Sequence, residues 1–161
     1  MQSTTTSYTG SCLCNTIRYS LEGAPITTVL CHCKNCKKSS GSSFQANLFF
    51  KQDVCSLRPY HQSVTNPCQQ LTFLAGENRL MHYFDRNTDS GGTPTRSFCS
   101  VCGSNVITTN ESSDFVRGHV IVMSGCLDDD ATFQPKQEFY CKDKCGWMEI
   151  LVGTQKFNGM T

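Results

Sequence analysis

Cys31-His32-Cys33-Lys34-Asn35-Cys36 places three thiols within six residues, spaced C-x-C-x-x-C. Thiolates at such short intervals, held on a turn, converge on one soft or borderline cation, and Zn²⁺ is the usual occupant. Two further pairs flank them, Cys12-Leu13-Cys14 upstream and Cys99-Ser100-Val101-Cys102, followed by Gly103, downstream. These seven cysteines divide as four plus three. Four thiolates close a structural zinc site, whereas three leave one coordination position for water or substrate. The spacing therefore predicts two zinc ions per chain. Cys12, Cys14, Cys99 and Cys102 would form the structural site, clamping the first strand to the second half of the chain.

Cys31, Cys33 and Cys36 are the candidate catalytic site, where Zn²⁺ could polarise a carbonyl, activate water or hold an incoming thiolate. The spacing is equally compatible with a second structural site completed by His32, Cys55, Cys68 or Cys126. A disulfide scaffold is the competing use of twelve cysteines in 161 residues. The spacing argues against it, because a C-x-C disulfide closes a very small, strained ring. The N-terminus has neither a basic start nor an apolar stretch, so no secretory signal is read and a reducing cytoplasm is the expected compartment. A redox C-x-x-C would need a βαβ context that the sequence lacks. Cys141 and Cys145, spaced C-x-x-x-C, and the isolated Cys55, Cys68 and Cys126 read as core or incidental thiols. His61, His82 and His119 stand alone and read as core or edge residues. Lys34, Lys37, Lys38 and Arg96 lie near cysteines that must be anionic; they either offset that charge, hold a substrate carboxylate or form a solvated face.

Short strands must position these thiols. Ile17, Tyr19 and Leu21 alternate with polar residues, and Thr27-Thr28-Val29-Leu30 is a β-branched run leading into Cys31. Residues i and i+2 of an extended strand share a face but sit too far apart for one ion, so the C-x-C must bend. One helical turn over Lys34–Ser40, ended by Gly41, follows. Further strands are read at Phe44–Phe50, Val54–Leu57, Asn105–Thr109 and Phe115–Met123, with a hairpin pairing Leu71–Ala75 and Leu80–Phe84 around Gly76. Phe139–Trp147 reads as an aromatic patch. The expected fold is mainly β in a single domain over residues 10–150, with a loose polar arm at 1–9 and a C-terminal tail at 151–161. A net charge of +1 gives no electrostatic reason to expect nucleic acid or an anionic membrane, and no apolar run approaches the roughly 20 residues of a membrane span.

The order G-S-C-x-C, C-H-C-x-x-C-x-x-S-S-G and R-x-F-C-x-x-C-G-S, closing on an aromatic stretch with a Trp, resembles the glutathione-dependent formaldehyde-activating enzyme family, which also includes centromere protein V. The resemblance runs from about Gly10 to Trp147. It implies the Mss4-like fold, an arrangement of short folded β-sheets with zinc knuckles. It also implies structural zinc on Cys12, Cys14, Cys99 and Cys102 and catalytic zinc on Cys31, Cys33 and Cys36. Asn15 stands where that family usually has Gly, and Asn tolerates the left-handed backbone that a knuckle needs. The implied activity is a zinc-dependent carbon–sulfur lyase, similar to S-(hydroxymethyl)glutathione synthase, working on a small-molecule thiol adduct. Glutathione and a specialised-metabolite thioether are both candidates for the thiol partner, and a non-catalytic zinc-structured binding module is the alternative. The loops at 58–70 and 85–95 align with no motif and are expected to set substrate choice.

Overall fold

A computed structural model describes residues 6–52, 70–128, 133–149 and 151–160. In chain order its elements are β1 (Ser7–Ser11), β2 (Arg18–Glu22), β3 (Thr27–Cys31), α1 (Lys34–Ser40), β4 (Gln45–Lys51), β5 (Leu71–Ala75), β6 (Leu80–Phe84), β7 (Thr95–Cys99), β8 (Asn105–Thr109), β9 (His119–Met123), β10 (Gln137–Phe139) and β11 (Gln155–Lys156). They form a three-stranded sheet in the order β1-β2-β5 and an eight-stranded sheet in the order β11-β10-β3-β4-β9-β8-β7-β6. Most neighbours are antiparallel; β10 runs parallel to both β3 and β11.

The central strand β4 shows how the two faces of the larger sheet are used. Successive side chains of a strand point to opposite faces. Leu48 and Phe50 pack with Tyr19, Leu21 and Leu71 of the smaller sheet, and with Val120 and Val122, to make the core between the sheets. Phe49, one residue out of step, joins a second cluster on the other face with Val29, Val116, Phe139 and Tyr140. A strand covered on both sides needs a near-continuous apolar run, which Leu48-Phe49-Phe50 supplies. Mainly β, single-domain architecture is thus as the alternation predicts.

Four local expectations change. Leu71–Ala75 and Leu80–Phe84 are not paired: β5 adds to β2 in one sheet and β6 to β7 in the other. Gly76 makes the switch, at φ 70° and so close to Thr16 that a Cβ would overlap its carbonyl oxygen. Ser7–Thr9, expected in the loose arm, belong to β1, because Tyr8 packs edge-on against Phe133 with ring centres 5.0 Å apart. Gln155–Lys156, expected in a tail, pair with Gln137 and Glu138, and Phe157 stacks edge-on against Phe139 at 5.5 Å. The aromatic patch divides, since Phe139 and Tyr140 are buried while Trp147 is 75% exposed. The strand read at Val54–Leu57 lies outside the described residues, as does loop 58–70 up to residue 69.

Two cysteine clusters and the cavity beside one of them

The first cluster joins two strand-to-strand turns. One leads from β1 through Cys12 and Cys14 into β2; the other leads from β7 through Cys99 and Cys102 into β8. The Asn15 N–H donates to the Cys12 carbonyl at 2.9 Å, and the Gly103 N–H donates to the Cys99 carbonyl at 2.9 Å. The Ile17 N–H meets Cys12 Sγ at 3.3 Å and the Val101 N–H meets Cys99 Sγ at 3.4 Å. Both turns end in left-handed backbone, Asn15 at φ 59° and Gly103 at φ 75°. Glycine enters that region freely and asparagine more readily than most other residues, so the departure at Asn15 leaves the knuckle intact.

All four sulfurs lie within 4.8 Å of one another. Cys12 and Cys14 are 3.5 Å apart, and Cys14 and Cys99 are 3.8 Å apart. Sulfurs bonded tetrahedrally to Zn²⁺ at about 2.3 Å would be about 3.8 Å apart, so this donor set fits the ion. Burial pushes the Cys12 thiol up to about 11, while the Ser104 hydroxyl draws Cys102 down to about 5. A shared cation removes that disparity by letting all four ionise.

The second cluster sits where β3 gives way to α1. Cys31 ends the strand, the chain bends at His32, and Cys33 caps the helix, its Sγ accepting the Cys36 N–H at 3.3 Å. Residues three apart lie over one another at a helix start, which brings Cys36 back to Cys33. Gly41 closes the helix at φ 63°, its N–H bonded to the Lys37 carbonyl. The three sulfurs also lie within 4.8 Å of one another. Hydrogen bonds from Cys31 and Cys36 pull the Cys33 thiol down to about 2. Cys31 is pushed far up, by its hydrogen bonds to Cys33 and Cys36 and by burial. Cys36, helped by Cys31 but opposed by Cys33 and by burial, rises to about 12. A divalent cation would let all three ionise, so this set too is chemically suited to zinc.

Among the described residues, no fourth His, Cys, Asp or Glu joins these three. His32 is wholly buried and turned to Glu138, its Nε2 3.2 Å from Oε2, with its backbone N–H on the Phe139 carbonyl at 2.9 Å. Cys126 donates instead to the Asn105 carbonyl at 3.3 Å. Cys55, Cys68 and His61 lie outside the described residues. His82 and His119 are ordinary strand histidines, bonded at 2.9 Å to the Ser97 hydroxyl and at 3.3 Å to the Val116 carbonyl. Cys141 bonds the Glu138 carbonyl at 3.6 Å. Lys34 and Lys38 are exposed, and Lys37 reaches the Asp143 carbonyl at 2.8 Å.

Cys31, Cys33 and Cys36 line a cavity of about 100 Å³ together with Arg96 and Tyr140. Arg96 is buried, which works against its charge, and the neighbouring Cys36 sulfur and the Asp85 carboxylate, 2.9 Å away, hold that charge. Asn35, on α1, donates to both Asp85 oxygens at 2.9 Å, which ties the loop after β6 to the cysteine helix. Tyr140 is a buried aromatic residue at φ 57°, where a bulky side chain is an outlier. Its N–H on the Gly159 carbonyl at 2.8 Å and the Asp143 N–H on its own carbonyl at 2.9 Å fix it there. Burial raises the Tyr140 phenol, keeping it a neutral donor.

Glu138 is the other polar anchor. Besides His32 it binds Lys144 at 3.1 Å, Lys156 at 3.4 Å and the Thr154 hydroxyl at 2.6 Å. Those bonds outweigh the cost of burying it and lower its carboxyl to about 2. Asn35, Asp85, Glu138 and Tyr140 escape the sequence reading, because each gains its meaning from a partner on a distant strand.

A family model of the glutathione-dependent formaldehyde-activating enzyme matches residues 7–66 and 55–143. The chain belongs to that family. Both cysteine clusters fall within the matched stretch, as do Arg96, Glu138 and Tyr140. The final strand β11, Phe157 and the cavity-lining Met160 fall beyond it. No curated protein matches the chain. No described helix is long and apolar enough to cross a membrane.

Proposed function

We propose that this member of the formaldehyde-activating family is a zinc-dependent carbon–sulfur lyase acting on a thiol adduct in a reducing, cytoplasmic compartment. Zinc at Cys12, Cys14, Cys99 and Cys102 is structural, and zinc at Cys31, Cys33 and Cys36 is catalytic. The observation that carries the reading is the contrast in ligand count: the three-thiol cluster has no fourth donor among the described residues and opens into a cavity. When bound there, Zn²⁺ supplies Lewis acidity for a substrate thiolate or oxygen.

The reaction is reversible addition of a thiol to an aldehyde. In cleavage the carbon–sulfur bond breaks, its electron pair leaves with sulfur, and the carbinol loses its proton as the carbonyl forms. Arg96, held by Asp85, offsets negative charge beside Cys36. Tyr140, as a neutral phenol, donates a hydrogen bond to the aldehyde oxygen, polarising it for thiol attack in one direction and receiving it as it departs in the other. The sulfur comes from glutathione or another small thiol; the body of a tripeptide exceeds a cavity of about 100 Å³ and stays outside it.

The test is turnover of aldehyde–thiol adducts, followed by NMR exchange, for wild type, Tyr140→Phe and Cys33→Ser with zinc measured in each. Turnover by wild type, reduced tenfold or more in Tyr140→Phe at unchanged zinc content and abolished in Cys33→Ser, supports the lyase. No turnover of any adduct, with ligands still binding, favours a zinc-structured binding module.

A further inference from the structure

The cavity beside Cys31, Cys33 and Cys36 is far more apolar than adduct chemistry alone requires. Its apolar lining includes Val29, Phe49, Phe115, Val116, Ile121 and Phe139, with Met160 from the C-terminal segment. Of the polar residues that also line it, Asp89 and Ser90 are exposed, the Thr88 hydroxyl donates to the Gly92 carbonyl at 2.6 Å, and Asn110 Oδ1 accepts from the Ser112 hydroxyl at 2.7 Å. Gln45 Nε2 donates to Asn47 Oδ1 at 2.8 Å, Asn47 Nδ2 donates to the Gln45 carbonyl at 3.3 Å, and Arg96 is spent on Asp85. Two polar lining residues, Gln45 and Thr108, each carry a buried side-chain atom without a partner, Oε1 and Oγ1. A formaldehyde adduct carries only hydrogen on its reacting carbon and would leave this carbon surface unmatched.

We infer that the cavity is a subsite for a short aliphatic substituent on the carbon that bonds sulfur, so that the aldehyde partner is a small alkyl aldehyde and not formaldehyde. This deepens the lyase reading and rests on it for the position of the reacting carbon. Size sets the limit. An apolar protein cavity of about 150 Å³ takes up benzene. A cavity of about 100 Å³ accordingly suits a group of about three to five carbons and is too small for an aromatic ring.

The experiment has an activity arm and a binding arm, both on the zinc-loaded full chain. In the first, adducts of one thiol with formaldehyde, propanal, isobutyraldehyde, pentanal and benzaldehyde are compared by kcat/KM. We expect a rise of about fourfold per methylene, the equivalent of about 0.8 kcal/mol for each buried CH₂, and a fall of at least tenfold at benzaldehyde. In the second, isobutanol and benzene are titrated while methyl signals of Val29, Val116 and Ile121 are followed by NMR. Isobutanol should shift them and benzene should not.

Phe115 is 38% exposed, so Phe115→Ala is tolerated and enlarges the cavity; it should admit benzene and bring benzaldehyde within threefold of isobutyraldehyde. If that variant fails to fold, Val116→Leu serves instead, moving the optimum down by one carbon. Turnover that is flat or highest for formaldehyde, with no response to isobutanol, overturns the subsite while leaving the lyase standing. Size-selective alcohol binding without turnover of any adduct sustains the apolar subsite and overturns the lyase.

Discussion

The two cysteine clusters present the same atoms, and they differ in what surrounds them. Cys12 and Cys99 are part of the core between the sheets, and each is set on a strand-to-strand turn whose N–H groups point at sulfur. Cys14 and Cys99 are 85 positions apart in the chain, so an ion shared between the two turns would clamp β1 and β2 to β7 and β8. Cys31, Cys33 and Cys36 come from a single bend, and closing them costs little chain entropy. Their surroundings are a cavity on one side and, on the other, the buried His32–Glu138 pair that pulls the loop onto β10. A site that ties distant segments together contributes to folding. On the proposed reading, a site confined to one loop, with no fourth donor among the described residues, exchanges ligands.

The largest test of that contrast exchanges one thiol in each cluster. Structural zinc contributes on the order of 10 kcal/mol to small zinc domains, comparable with the whole stability of a domain of this size, about 5–15 kcal/mol. Cys99→Ser should therefore leave the chain unfolded or insoluble, whereas Cys33→Ser should fold with its β-sheet circular dichroism unchanged. Equal collapse of both variants would make both clusters structural.

Graded chelation probes the same contrast without mutation. Wild type purified without chelator should hold close to two zinc per chain, and a competing chelator should remove the ion of the three-thiol cluster first, with no loss of fold. Simultaneous loss of metal and structure would merge the two sites into one cooperative unit.

Glu138 tests whether the second cluster depends on its buried anchor. Glu138→Gln leaves Lys144 and Lys156 without their carboxylate and should cost about 3 kcal/mol in urea unfolding at pH 7. The sign follows from its depressed carboxyl, about 2 when folded against an ordinary 4.5. The contribution is complete above pH 4.5 and disappears as pH falls toward 2. The gap between wild type and variant should shrink through that window; a gap independent of pH would mean that packing, and not charge, supplies the stability.

The smallest effects belong to the paired knuckles. Gly103→Ala forces a side chain into left-handed backbone and should cost about 1–2 kcal/mol, although space for the Cβ is open. Asn15→Gly removes the same strain from the other turn and should be neutral or stabilising by a few tenths of a kcal/mol. Thermal unfolding of both variants would show whether left-handed backbone weighs equally in the two turns.

The sequence alone determined what is local. Alternation at Ile17, Tyr19 and Leu21 places β2, the β-branched run before Cys31 places β3, and Gly41 ends α1, because each is decided by the period or φ preference of adjacent residues. The four-plus-three grouping was equally legible, since short spacing limits which thiols can share an ion. Tertiary structure decided the rest. Gly76 yields a turn on any reading, yet whether the strands beside it pair or part depends on which sheet has an open edge and where Leu71 finds its core. His32 has the spacing of a ligand and becomes a buried partner of Glu138, a residue 106 positions away. The backbone of Tyr140 is held in place by Gly159, and the cavity is walled by strands from both halves of the chain. Contacts between segments so far apart follow from how the sheets pack, which no local pattern of residues encodes.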